Sequence, residues 1–309
     1  MVDLSTKLIS FFTISRSKMI VATFAQPALG LFLASTTLAD LNIFSLIFFI
    51  MYLLHIVFAC KINCYFDYEI DKKYKIELAQ AVDNLGKKTI RILLLIEGIL
   101  IGGLIIVLII YGYVIVGIIS VLGFILSIIY SATPPRFKKR GFLSAFPIIL
   151  GLFLLPVLGG WLMISTTLTV FIIIFMCGYA LMNEGINLVN TAEDYDEDLS
   201  EDVRTWAHHF GMRKVLRIAF LFTLIGGIGC LIGILLKFIQ LFALDWGFFA
   251  ACGFFIISIF AIALTSKDLH NIGLESDLKR SAKTHAKKLP KWFAITRYPM
   301  LLATFFLII

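Results

Sequence analysis

The sequence predicts an all-α, multi-pass membrane protein, a bundle of nine transmembrane helices with loops that cap its cytoplasmic side. Three observations predict this class: the composition, the number of long apolar runs, and the distribution of basic residues. Of the 309 residues, 60% are hydrophobic and only 15% are charged, whereas soluble domains carry about 25% charged residues. The composition therefore excludes an ordinary soluble globule, a disordered chain and a disulfide-rich secreted scaffold.

Nine apolar runs are long enough to cross the hydrocarbon core, which takes about 20 helical residues. Only Tyr111–Tyr113 separates the third run from the fourth, and the ninth contains the charged residues Lys291 and Arg297. The predicted spans are 19–38, 43–66, 91–110, 112–131, 142–162, 169–190, 215–236, 242–264 and 291–309. We expect residues 1–309 to form one membrane domain.

Basic residues segregate to one side of this predicted bundle. Nine spans place the loops alternately on two sides, and of the 27 Lys and Arg residues only Lys237 falls on the side of the short loops. Because Lys and Arg mark cytoplasmic loops, we expect the basic side to be cytoplasmic. The same rule accounts for the net charge of +7, so we expect no nucleic-acid partner.

Two acidic motifs of the form Asn-x3-Asp-x3-Asp lie at the basic ends of the second and sixth spans. The first consists of Asn63, Asp67 and Asp71, and the second of Asn190, Asp194 and Asp198. Residues four apart share one face of an α-helix, and carboxylate and amide oxygens suit Mg²⁺. Two such faces opposite each other would hold Mg²⁺ ions with positions left for a phosphate ligand.

Two further acids, Glu97 and Glu184, lie inside predicted spans. Buried acids in a bilayer are functional candidates by default, although Glu97 is close enough to Lys88 or Arg91 to pair with either. Asn183 and Asn187 extend the polar face of the sixth span inward from the second motif. This face is typical either of a cavity wall or of interhelical amide bonding.

The arrangement resembles the UbiA superfamily of intramembrane prenyltransferases over nearly the whole chain. The resemblance implies two pseudo-repeated halves, with motifs near 63–71 and 190–198 that bind Mg²⁺ and the diphosphate of a polyprenyl donor. It makes the Asn and Asp residues of both motifs the metal ligands, and Asp67, Asp71, Asp194 and Asp198 the catalytic residues. The residues expected to bind the diphosphate are Arg16, Lys61, Lys72, Tyr130, Arg136, Lys138 and Arg204.

The segment from Tyr130 to Lys138 resembles the Tyr-Ser-x-x-Pro-x-Arg-x-Lys loop of the chlorophyll-synthase and archaeal carotenoid-elongase branches. This likeness favours a geranylgeranyl-sized donor, although a Pro-Pro pair before basic residues is equally typical of a helix end on the cytoplasmic side. The chain departs from the family where residues 74–82 lack an Asn-Pro-x-Arg-Pro-like segment, and where 205–207 lack the proline of Thr-x-Pro. Both departures bear on the substrate class.

The expected function is Mg²⁺-dependent transfer of a polyprenyl group from its diphosphate to a hydrophobic acceptor within the lipid bilayer. The acceptor stays open among a quinone precursor, a chlorophyllide-like ring, a carotenoid and a glycerol-phosphate lipid. One alternative is a terpene cyclase on the same scaffold, which would act on the diphosphate alone. Another is a multi-pass transporter, but its ionisable groups would lie near the midplane rather than at the ends of spans.

Overall fold

The computed structural model describes residues 3–309, and this part of the chain is helical without any strand. Several helices begin at a side chain that accepts bonds from the first free amides, as Asn42 does for Phe44 and Ser45. The helices are α1 (Leu4–Ile14), α2 (Ser17–Thr23), α3 (Ala25–Ala34), α4 (Ile43–Phe66), α5 (Tyr68–Tyr74), α6 (Ile76–Leu85), α7 (Lys87–Ile110), α8 (Val114–Ser131), α9 (Ala145–Pro147), α10 (Leu155–Leu162), α11 (Val170–Glu193), α12 (Tyr195–Ser200), α13 (Trp206–Phe210), α14 (Met212–Gln240), α15 (Trp246–Leu274), α16 (Leu278–Ala286) and α17 (Leu289–Phe306). Short 3-10 turns occupy Leu38–Asp40, Phe137–Lys139 and Gly141–Ser144.

Within residues 3–309, eight helical segments are long and apolar enough to cross a membrane. They are Ser17–Ala34, Ile43–Phe66, Lys87–Ile110, Val114–Ser131, Gly141–Leu162, Val170–Glu193, Met212–Gln240 and Trp246–Leu274. The ninth predicted span is also a helix, α17, which packs against α15 and α3. Its apolarity is lower because it contains Lys291 and Arg297. The all-α membrane bundle is confirmed, while the count of nine spans is approximate.

Two of the predicted spans are not continuous α-helices. The first is divided at Phe24 into α2 and α3. The fifth contains a π-helical segment, Ile148–Leu154, between α9 and α10. Pro147 and Pro156 flank this segment, and neither has an amide hydrogen to donate to a regular α-helical ladder. The wider turns place Gly151 beside the central cavity described below.

Helix α11, which carries the second motif, is the most buried of the eight spans. It packs backbone to backbone on α14, because glycines replace larger side chains where the two helices touch. A Cβ atom added at Gly226 would lie 2.2 Å from the amide nitrogen of Met182, and one at Gly178 would lie 2.7 Å from that of Cys230. Small residues of this kind let membrane helices approach closely, and here they fix α11 in the centre of the bundle.

Two buried polar contacts link helices inside the bundle. Lys61 on α4 forms an ion pair with Glu97 on α7. Arg297 on α17 donates two hydrogen bonds to Asn183 Oδ1 on α11, at 2.8 and 2.6 Å, and one to the carbonyl of Ala22 on α2, at 2.7 Å. These bonds satisfy groups for which hydrocarbon offers no partner. The first joins α4 to α7, and those of Arg297 join α17 to both α11 and α2.

Candidate functional site

The two acidic motifs share the same backbone break. Helix α4 ends at Phe66 and α11 ends at Glu193, so the first aspartate of each motif falls at a helix junction. Asp67 and Asp194 have similar dihedral angles there, φ −89°, ψ 2° and φ −76°, ψ 8°. The amides of Asp71 and Asp198 still bond to the carbonyl four residues back, each at 2.8 Å. The predicted common face is therefore kept, although each motif spans two helices rather than one.

The first motif is held by its own asparagine and by three basic residues. Asn63 Nδ2 donates to Asp67 Oδ2 at 2.9 Å, and Arg16 Nη2 donates to Asn63 Oδ1 at 3.0 Å. Arg136 Nη2 and Lys138 Nζ donate to the two oxygens of Asp67 at 2.7 and 2.8 Å. The loop between α8 and α9 thus brings its cations directly onto the first aspartate.

The second motif repeats the internal bond and receives a cation from the first half of the chain. Asn190 Nδ2 donates to Asp194 Oδ2 at 3.0 Å. Lys75 lies between α5 and α6, and its Nζ is 3.1 Å from Asp194 Oδ1 and 3.4 Å from Glu197 Oε1. Lys75 therefore links the two motifs, which the fold brings together at one end of the bundle.

Among residues 3–309, two of the four motif aspartates, Asp67 and Asp194, form direct ion pairs, whereas Asp71 and Asp198 form none. Burial alone would raise the pKa of Asp67, but Lys138 and Arg136 hold it below its ordinary value. Burial, and then the charge of Asp67, raise the pKa of Asp71. Burial, followed by the charge of Asp194, raises the pKa of Asp198 to about 7. The second aspartate of each motif is thus a buried acid in need of a cation.

The side-chain oxygen atoms of the two motifs are of the type that binds Mg²⁺, but in this structure basic side chains form ion pairs with some of them. Among the described residues, no three His, Cys, Asp or Glu side chains converge into a group that could hold a metal ion. Instead, Lys138 forms an ion pair with Asp67, and Lys75 forms one with Asp194. Asp71 Oδ2 is buried without a hydrogen-bond partner in this part of the chain. Oxygen donors are the ligands that Mg²⁺ prefers, and this free oxygen is available to one.

A cavity of about 290 Å³ opens between the motifs and runs into the bundle. Its polar end is lined by Arg16, Asn63, Lys75, Lys138, Asn190 and Asp194. Its apolar part is lined by Ile56, Ala59, Leu126, Leu152 and Phe293. The cavity therefore suits a molecule with an anionic head and a hydrocarbon tail. A smaller space of about 70 Å³, here called the side recess, adjoins it along α11 and shares Tyr130, Asn187 and Asn190 with it.

Two of the basic residues at this site hold a left-handed backbone that L-residues other than glycine rarely adopt. Arg16 has φ 48° at the junction of α1 and α2, and Arg136 has φ 43° in the loop after α8. Such conformations cost about 1–3 kcal/mol each and concentrate at functional sites. Here they aim both guanidinium groups at the first motif, where Arg16 contacts Asn63 and Arg136 contacts Asp67.

Four of the seven residues predicted to bind the diphosphate lie at this site and three do not. Arg16, Tyr130 and Lys138 line the cavity, and Arg136 contacts Asp67. The three that lie elsewhere are Lys61, Lys72 and Arg204.

Lys61 is turned away from the site because it lies two residues before Asn63, about 200° around α4. It is fully buried, pairs with Glu97 and places its ammonium over the ring of Phe11. Glu97 therefore pairs with neither Lys88 nor Arg91. Lys72 is exposed, 3.7 Å from Glu69, and Arg204 is exposed beyond the cavity. The structure therefore places none of these three side chains at the cavity.

Lys75 is the functional candidate that sequence reasoning passed over. The signal was present, because Lys75 continues the four-residue spacing of Asn63, Asp67 and Asp71. That spacing places it on the same helical face as the first motif. Of the three lysines that follow the motif, only Lys75 reaches the cavity, while Lys73 pairs with Glu201 at 3.0 Å on the exposed surface.

The sequence profile of the UbiA prenyltransferase family matches residues 23–272. The chain belongs to this family. With its apolar helices, membership makes it an integral, multi-pass membrane protein of the UbiA family. A comparison with curated protein sequences finds no significant match.

Solved structures of UbiA-family proteins share the fold at low sequence identity. A UbiA homologue from Archaeoglobus fulgidus bound to GPP and Mg²⁺ is 14% identical, with a TM-score of 0.72 over 97% of this chain and 99% of that chain. The same homologue bound to DMAPP and Mg²⁺ is also 14% identical and gives 0.63 over 94% and 99%. A digeranylgeranylglyceryl phosphate synthase is 19% identical and gives 0.59 over 96% and 98%. At these identities the likeness establishes a common fold.

Proposed function

We propose that this UbiA-family protein transfers a polyprenyl group from its diphosphate to a hydrophobic acceptor within the bilayer, with Mg²⁺ as cofactor. One observation carries the proposal: the two motifs meet across the Lys75–Asp194 ion pair, 3.1 Å between Nζ and Oδ1, at the polar end of an otherwise apolar cavity. Family membership supports the reaction type. The homologue bound to GPP and Mg²⁺, and the one bound to DMAPP and Mg²⁺, support the ligand class.

The metal would be held by the oxygen atoms of the two motifs. Its ligands in this proposal are Asn63, Asp67, Asp71, Asn190, Asp194 and Asp198. Bound Mg²⁺ would supply positive charge to the diphosphate oxygens and stabilise the charge that develops as the prenyl group departs. The raised pKa of Asp198, about 7 in the absence of metal, is the mark of a carboxyl group that lacks such a cation.

The basic residues would exchange a carboxylate partner for the diphosphate. Arg136 and Lys138 neutralise Asp67, and Lys75 neutralises Asp194. When metal ions take over this role, the three cations are placed to donate hydrogen bonds to the diphosphate, together with Arg16. Fixed donors directed at the leaving group are usually the largest single source of catalysis for such a step.

The remainder of the cavity would hold the prenyl chain away from water. Ile56, Leu126, Leu152 and Phe293 give it apolar walls, so the cation formed at the allylic carbon meets the acceptor rather than solvent. We assign a geranylgeranyl-sized donor from the loop that contains Tyr130. We also place the active-site face on the cytoplasmic side and treat residues 1–309 as one domain of two pseudo-repeated halves.

Binding of geranylgeranyl diphosphate to the purified protein in lipid nanodiscs, with Mg²⁺ and then with EDTA, tests the proposal. We expect Mg²⁺-dependent binding that weakens by more than about 100-fold in Asp67→Asn and Asp194→Asn, because even outer partners of metal ligands contribute about 10–100-fold. Asp196→Asn is the matched control, since Asp196 lies two residues from Asp194 but is exposed and pairs with Lys279. It should bind as the wild type does.

Three outcomes would count against the proposal or redirect it. Equal binding in EDTA would remove the metal from the reaction. Unchanged binding by Asp67→Asn, with a wild-type melting temperature, would contradict the assignment of the first motif. Release of diphosphate with a cyclic product in the absence of any acceptor would identify a terpene cyclase instead, and an absence of binding across donor lengths would favour a transporter.

A further inference from the structure

An apolar groove of about 500 Å³ lies on the outside of the bundle between α4 and α7. Phe58 and Ile62 of α4 are the buried part of its lining, whereas Leu95 and Ile99 of α7 are each 65% exposed. Gly98, which also lines the groove, leaves it open because it has no side chain. Among the described residues, the groove shares no lining residue with the central cavity or the side recess. The metal and the prenyl donor therefore do not account for it.

The length of the groove matches the depth of one lipid leaflet. Its lining extends along α7 from Arg91 to Ile99, eight residues that correspond to a rise of about 12 Å. The hydrocarbon core is about 30 Å thick, so each leaflet contributes about 15 Å. Helix α7 is one of the membrane-spanning segments, and the exposed side chains of the groove therefore face lipid. The groove can accommodate the acyl chain of a lipid from a single leaflet.

Arg91 places a cation at the end of the groove that is nearest the first motif. Its Nε donates to Tyr65 Oη at 2.6 Å, and its guanidinium group lies over the Tyr65 ring, 5.6 Å from the ring centre. This bond uses Nε alone, so within residues 3–309 the two terminal nitrogens, Nη1 and Nη2, have no hydrogen-bond partner. A planar guanidinium group with two free donors can bind a phosphate through two parallel hydrogen bonds.

Lys88 extends this positive charge along the same face of α7. It lies three residues before Arg91, a spacing that makes the two side chains neighbours on a helix, and it is exposed. Within the described chain neither residue forms an ion pair, because the acid at this end of α7, Glu69, lies 3.6 Å from Lys87 instead. Two cations without a carboxylate partner thus stand at the head of an apolar groove. This combination is complementary to a lipid with an anionic headgroup.

We propose that this groove binds one anionic phospholipid of the surrounding bilayer, with its phosphate at Arg91 and an acyl chain between α4 and α7. A zwitterionic lipid carries its own cation beside the phosphate, so the two basic residues favour an anionic headgroup over it. The inference goes beyond the proposed function and does not depend on it. A bound lipid would connect α7 to the last turn of α4, because Tyr65 lies two residues before Asp67. It would therefore stabilise the helix end at which the first motif begins.

Titration of the purified protein in detergent with phosphatidylglycerol, or with phosphatidylcholine of the same acyl chains, tests the inference by native mass spectrometry. We expect one phosphatidylglycerol to bind about tenfold or more tightly than phosphatidylcholine, the factor that hydrogen bonds between charged groups usually contribute. Arg91→Gln should abolish this preference. Gly98→Leu should weaken both lipids equally, because it fills the groove without changing its charge. A Cβ atom at Gly98 makes only an ordinary contact, 3.6 Å from Phe124 Cζ, so this variant should fold.

Two control variants should bind both lipids as the wild type does. Arg217→Gln removes an arginine that is also exposed in the first turns of a spanning helix, α14, but does not line the groove. Gly103→Leu adds the same bulk to α7 at a position where a Cβ atom meets nothing within 4 Å. Equal affinity of the wild type for the two lipids, or an equal loss in Arg217→Gln, would contradict a phosphate site at Arg91. A dimer that Gly98→Leu dissociates would make the groove a contact between two copies of the chain, and the inference would be wrong.

Discussion

Lys75 donates a hydrogen bond from its Nζ to Oδ1 of Asp194 over 3.1 Å, joining segments that lie 119 residues apart in the chain. Burial alone would lower the pKa of Lys75, but the charges of Asp194 and Glu197 raise it above its ordinary value. The ammonium group therefore stays protonated at the polar end of the cavity. It forms an ion pair with a carboxylate that Mg²⁺ would need as a ligand, so Lys75 and the metal would compete for Asp194. A bound diphosphate would give Lys75 another anion to pair with.

Replacing Lys75 should separate the binding of Mg²⁺ from the binding of the donor. In Lys75→Met, we expect affinity for geranylgeranyl diphosphate to fall about tenfold or more, since a hydrogen bond between charged groups contributes about 1.5–3 kcal/mol. Affinity for Mg²⁺ alone should stay the same or rise, because its competitor at Asp194 is gone. Isothermal titration with each ligand measures both. Lys73→Met is the matched control, because Lys73 pairs on the exposed surface with Glu201; equal losses in both variants would contradict a specific role for Lys75.

Binding of Mg²⁺ to the donor-free protein should weaken as the solution becomes acidic. Burial, and then the charge of Asp194, raise the pKa of Asp198 to about 7, so the carboxyl group is protonated below that pH and the metal must displace the proton. Apparent affinity should therefore fall by up to about tenfold per pH unit below about pH 7, if one proton competes. Titrations from about pH 8 to about pH 6 measure the slope. A flat profile would mean that Asp198 is not a ligand, whereas Asp196→Asn should keep the wild-type slope.

The bundle and the common face of each acidic motif followed from local rules, because hydropathy identifies spans and a four-residue spacing identifies a helical face. Asn63, Asp67 and Asp71 needed no tertiary information to be placed together. The prediction for Lys61 gave more weight to proximity along the chain than to the angle of about 200° that separates it from Asn63 around the helix, and the structure places its side chain away from the cavity. The partners of Glu97 and Asn183 were invisible, since Lys61 and Arg297 reach them only through the packing of distant helices.

The close packing of α11 on α14 should be sensitive to a single methyl group. In Gly226→Ala the new Cβ would lie 2.2 Å from the backbone nitrogen of Met182, so the helices must separate at a cost of about 1–3 kcal/mol. We expect a lower melting temperature in detergent and reduced activity, since α11 carries the second motif. Gly253→Ala on α15 is the control: it meets no atom within 4 Å and should gain up to about 1 kcal/mol in helix propensity. A wild-type melting temperature for Gly226→Ala would contradict the packing.

The buried guanidinium of Arg297 should contribute strongly to stability although it has no carboxylate partner among residues 3–309. It donates to Asn183 Oδ1 and to the carbonyl of Ala22, and it lies 4.3 Å from the ring centre of Phe293. Arg297→Met would leave both oxygens without this donor inside the bundle, at about 1–3 kcal/mol each, and should lower the melting temperature markedly. Arg297→Lys should recover only part of the lost stability, because a single ammonium group cannot reproduce the hydrogen bonds that the planar guanidinium donates in several directions. Adding Asn183→Leu to Arg297→Met should recover stability, because it removes one acceptor oxygen that has lost its donor. If the double variant is no more stable than Arg297→Met alone, the loss comes from packing against Phe293 rather than from the hydrogen bonds.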